Sequence, residues 1–72
     1  MLELPAGTKF VRGVELEGEP FAIFKAEEGT GAFAFKGGAW VPLESAGELI
    51  AVASEGRAVS DEAFADWISK LS

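Results

Sequence analysis

Carboxylates dominate the chemistry this chain can offer: twelve Asp and Glu side chains stand against six Lys and Arg, with no His, Cys or Tyr. Glu15, Glu17 and Glu19 recur at every second position, and Glu27 and Glu28 follow in the next loop. An oxygen-rich cluster suits a hard cation, but calcium loops space Asp and Asn around a defining glycine and end on a bidentate acid. That pattern is missing, so these glutamates are expected to be solvated loop tips and no metal is expected. Zinc would have to be held by carboxylates alone, against its preference for nitrogen and sulfur ligands.

General acid–base catalysis calls on His, or on Glu, Asp, Lys or Tyr with a pKa displaced by burial. Here the carboxylates fall mainly in loops and at helix starts. Ser45 and Ser60 are explained by helix capping, while Ser54, Ser69 and Ser72 have no base partner in view. The glycines of GTGAFAFKGG are not followed by the Lys-Ser or Lys-Thr pair of a phosphate-binding loop, and hairpin turns account for them. A chain of 72 residues also has little wall with which to enclose a pocket. The expectation is a non-catalytic protein without a cofactor.

Charge narrows the partners. A net charge of -6 sets up a field that repels phosphate backbones and anionic lipid, so neither nucleic acid nor membrane is expected. The alternating phenylalanines of AFAFK, with Lys36 beside them and Lys25 and Arg12 on neighbouring strands, have the makings of a base-stacking strand. The basic supply is thin, however, and the same rings are needed to fill a core. The start, MLELPAGTKF, lacks the basic region and apolar run of a signal peptide. The longest apolar run, residues 49–53, is far short of the roughly 20 residues that span a bilayer. A soluble, cytoplasmic protein is the default, and without cysteine it can use neither disulfides nor thiolate metal sites.

One domain is expected, because a chain this short buries only about 60% of the surface its unfolded form exposes and could not supply two cores. Turn residues divide its first half into strands at residues 9–16, 21–26, 32–36 and 39–43, with residues 2–4 as a short edge strand limited by Pro5. Ser45 and Glu48 form a capping box that opens a helix over residues 45–55, with Gly56 as its stop. The rival for this stretch is a strand at residues 49–53 turning into another at residues 57–59. Ser60 caps a second helix over residues 60–71, where Phe64, Trp67, Ile68 and Leu71 make one apolar stripe and Trp67 anchors the core. The fold class is therefore α+β: an antiparallel sheet of about four hairpin-connected strands, open or curled toward a small barrel, followed by two C-terminal helices.

Centring turns on Glu17-Gly18, on the loop around Gly29 and on Gly37-Gly38 pairs Val14 with Phe21, Ile23 with Phe35, and Phe35 with Trp40. One face then collects Phe10, Val14, Phe21, Ile23, Phe33, Phe35, Trp40 and Pro42, and the other Val11, Ala22, Phe24, Ala32, Ala34, Val41 and Leu43. A bulge near EGEP would move Phe10 and Val14 across. Both faces are apolar and something must cover each. The aromatic face is core if a barrel or the helices enclose it, and interface if a second chain does. Pro42 cannot donate to a ladder, which marks an edge strand, and a Trp-Pro pair there could anchor a partner. The candidate interface is Phe33, Phe35, Trp40 and Pro42, on a module that binds another protein or itself as a homodimer. The alternative is an acidic inhibitor or regulator that mimics nucleic acid or docks on a basic partner.

Overall fold

In the computed structural model, which describes residues 4–71, the chain forms β1 (Lys9–Leu16), β2 (Glu19–Ala26), β3 (Gly29–Lys36), β4 (Ala39–Pro42), α1 (Ala46–Glu55), β5 (Arg57–Val59) and α2 (Asp61–Leu71). The five strands make one antiparallel sheet in the order β4-β3-β2-β1-β5. This is the α+β architecture expected, with an open sheet rather than a barrel. The stretch 49–53 is helical, yet residues 57–59 form a strand as well, so β5 belongs with the helix and not with its rival. The edge strand expected at residues 2–4 lies largely outside the described residues, and Leu4 itself is in no strand.

Two of the hairpins close through two-residue turns whose central residues all have positive φ: Glu17 at 53° and Gly18 at 80°, then Gly37 at 59° and Gly38 at 79°. Turns of this hand match the right-handed twist of the flanking strands. The Gly18 N–H also donates to Glu15 Oε2 at 2.9 Å, so one acid of the first tip helps to hold its own turn.

The second hairpin corrects the expected register. Its turn is Glu27-Glu28, with Ala26 opposite Gly29, not a loop centred on Gly29. The shift is by an odd number of residues, so β3 and β4 exchange faces relative to β2. Packing explains the choice. In the observed register Phe21 stands opposite Ala34, Ala22 opposite Phe33, Ile23 opposite Ala32 and Phe24 opposite Gly31. Each large side chain thus meets a small one, and the sheet fills without ring-on-ring crowding. At Gly31 a side chain would run into the Phe24 ring, with Cζ 2.6 Å from the added carbon.

A bulge in β1 sits between Phe10 and Arg12, not in EGEP. It leaves Val14 opposite Phe21 as expected but returns Phe10 to the side of Phe24. One face now carries Val14, Phe21, Ile23, Ala32 and Ala34, and the other Phe10, Ala22, Phe24, Phe33, Phe35 and Trp40.

The helices separate to opposite faces. α1 joins the β4 edge to β5 at the far edge and packs Val52 and Leu49 against the aliphatic face. The Glu48 N–H donates to Ser45 Oγ at 3.4 Å, as a cap requires, but the Glu48 carboxylate makes no return bond and the box is only half formed. Gly56 ends α1 with an ordinary φ of -67° and not through a left-handed stop. Its glycine is required because an added carbon would collide with Val14 and with the Val52 carbonyl. α2 is capped by Ser60, whose Oγ accepts from the Ala63 N–H at 3.3 Å, and it lays Phe64 and Ile68 on the aromatic face.

Candidate functional site

Phe33, Phe35, Trp40 and Pro42 occupy three different environments. Phe33 is 4% exposed, enclosed between the sheet and α2, and stacks on Phe24 with centroids 4.4 Å apart. Phe35 and Trp40 lie opposite each other on β3 and β4, half-buried and edge to face at 4.8 Å, with Trp40 6.1 Å from the Phe64 ring. Pro42 is exposed on the terminal strand. Phe64 unites this side. It is fully buried, touches Phe10, Trp40 and Trp67 at centroid separations of 5.8 to 6.3 Å, and lies directly over Gly13, where an added carbon would overlap its ring.

The opposite face is also incompletely covered. α1 has ten residues, about 15 Å of helix, against a sheet of five strands spaced about 4.8 Å apart. Its inward side chains seal the rows around Val14, Phe21 and Ala34. Beside the helix the sheet remains open as a groove of about 330 Å³ whose floor is Arg12, Ile23, Thr30, Gly31 and Ala32 and whose wall is Leu49, Ile50 and Ala53. Ile50 stands on the rim at 66% exposure, the most exposed large apolar side chain among the described residues.

The strand pairings place three cations on this side of the sheet. Arg12 lines the groove itself. Lys25 lies directly opposite Thr30, another lining residue, and therefore projects to the same side. Lys9 is paired with Lys25, which brings it to that side also. All three are exposed. The ion pairs among the described residues use other partners: Arg57 with Glu15 at 2.8 Å and Lys70 with Asp66 at 3.0 Å.

The sheet edges are protected. The Leu43 N–H donates to the Ala32 carbonyl at 3.0 Å, so alternation turns the Pro42 nitrogen away from β3, at the position where an N–H would otherwise face outward. At the other edge β5 covers only Gly13, Val14 and Glu15, and the uncovered start of β1 carries the bulge together with Lys9 and Arg12. Charges and bulges of this kind discourage further strand pairing.

No group of three or more Asp or Glu that could hold a metal occurs among the described residues, and no helix there is long and apolar enough to cross a membrane. The described Asp and Glu residues are exposed apart from Glu15, which is half-buried against Arg57. The arrangement offers a surface rather than a reacting centre. Sequence reasoning missed Ile23, Thr30, Leu49 and Ile50 as neighbours because the register decides it. One signal was present: Leu49, Ile50, Val52 and Ala53 spread apolar character over more of α1 than a single sheet-facing stripe needs. Comparison with known proteins adds no relative, since no family model, no curated protein and no solved structure matches this chain.

Proposed function

We propose that the chain is a non-catalytic interaction module that binds another protein, or a second copy of itself, through the apolar opening beside α1. The observation that supports this is Ile50: a branched aliphatic side chain left in solvent at the lip of an apolar groove, in a domain too small to forgo burial lightly. The candidate surface thereby moves from the Phe35 and Trp40 side, where rings already pack on α2, to the face carrying Ile23 and Ala32.

The test combines two measurements on the wild-type chain and on Ile50→Asp. Light scattering over a wide concentration range reads self-association. Selection from a random peptide display library, with counter-selection on Ile50→Asp, reads binding to other chains. The expected result is either a dimer that the substitution converts to monomer or a set of peptides that the substitution no longer retains. A protein that stays monomeric at all concentrations and selects nothing dependent on Ile50 overturns the proposal.

A further inference from the structure

We infer that the occupant of the α1 groove is an acidic segment of a partner protein, one that sets aliphatic or aromatic side chains against Ile23, Leu49 and Ile50 and its carboxylates against Lys9, Arg12 and Lys25. This rests on the interaction-module reading above and adds the chemistry of the partner.

The argument is one of charge placement. The chain carries only six basic residues and a net charge of -6, yet Arg12 lines the groove and two more of the six, Lys25 and Lys9, stand on the same side of the sheet in the rows leading from the lining residue Thr30. Lys9 and Lys25 stand directly opposite each other across β1 and β2, an arrangement that disfavours the fold through like-charge repulsion. No ion pair among the described residues offsets it. Glu27 and Glu28 at the adjoining turn form no ion pair with any of the three, and the recorded ion pairs lie elsewhere. A bound carboxylate supplies the missing countercharge, while the apolar walls supply the contact area.

The same distribution says which other partners fit less well. A nucleic acid would meet three cations but also an apolar floor and the repulsion of the remaining surface. A second copy would have to bring an acidic segment with adjacent apolar side chains into the groove, against the net repulsion of two chains at -6 each. The surrounding acidity acts as a filter: a partner that is acidic throughout is repelled, whereas one whose acids are confined to the contact is admitted in one orientation.

The experiment is the peptide selection carried one step further. Enriched sequences are read for Asp and Glu next to Leu, Ile, Phe or Trp, and the best is labelled for fluorescence anisotropy against wild type, Ile50→Asp and the triple variant K9Q/R12Q/K25Q. Circular dichroism confirms that each variant is folded. The expected outcome is acidic, apolar peptides whose affinity drops about tenfold in the triple variant and falls as salt is raised. Peptides without acidic bias, lost in Ile50→Asp but bound equally by the triple variant, overturn the acidic assignment and leave the module reading standing. Failure to enrich any Ile50-dependent peptide overturns the acidic assignment, and it overturns the module reading as well if the chain is also monomeric at all concentrations. A single-stranded oligonucleotide that displaces the peptide and binds more tightly than it does overturns the assignment to a protein partner.

Discussion

The two faces of this sheet meet helices of nearly equal length and end in different states. Under α2, with eleven residues, seven aromatic rings gather around Phe64, two of them buried and five half-buried. Under α1, with ten residues, a single ring, Phe21, joins aliphatic side chains and the sheet stays open along one flank. What differs is reach. A ring extends far enough from a strand or helix to bridge the space beside a short helix, whereas Val52 and Leu49 fill only what lies beneath them. In a domain this small, aromatic content sets how the space beside a short helix is filled.

The largest loss should come from Phe64→Ala, which removes the ring that contacts Phe10, Trp40 and Trp67 together. Truncation of a buried phenylalanine costs about 3–5 kcal/mol, a large part of the stability of a small domain. Urea denaturation followed by tryptophan fluorescence should show a strongly lowered midpoint or no folded baseline.

Next comes Gly13→Ala, which forces a methyl group under the same ring. Overpacking of this kind costs about 1–3 kcal/mol and should act through the aromatic side alone. The double variant Gly13→Ala/Phe64→Leu should recover part of the loss in the same assay, since the smaller side chain leaves room for the methyl. Equal destabilisation in the double variant would show that the glycine serves the strand and not the ring.

On the other face, Ile50→Asp should change stability by no more than about 0.5 kcal/mol, the range of ordinary surface substitutions, while abolishing binding. A loss as large as that of Gly13→Ala would mean that the α1 flank is core after all. The smallest effect belongs to neither face: Glu17→Asn, at a position with φ of 53°, should raise stability by under about 0.5 kcal/mol and leave binding unchanged, because asparagine tolerates left-handed turns better. Thermal unfolding measures it.

Local chemistry was legible in the sequence and long-range geometry was not. The Gly37-Gly38 turn, the Ser45 and Ser60 caps and the Phe64 stripe announce themselves because each depends on residues within one turn of chain. The register of β2 on β3 does not, since EEGTG offers several turn centres. The alternation of large and small side chains in FAIF and GAFAF selects among them only when both strands are considered together. β5 entered only within the rival to α1 for a related reason: three residues between two helices carry no period of their own, and only β1, far away in sequence, gives them a partner. The groove inherits both difficulties, because Arg12, Thr30 and Ile50 become neighbours only after the register and the crossing of α1 are set.

That crossing also orders events in time. β1 to β4 form a meander in which every strand pairs with its neighbour in sequence, so their contacts require only short loops to close. β5 must wait for α1 to pass over the sheet before it can reach β1, and closing that longer loop is the slower step. During synthesis the free edge of β1 is therefore bare until residues 57–59 have emerged. The bulge and charges at its start then serve a newborn chain as much as a finished one, guarding an edge until its own clasp arrives.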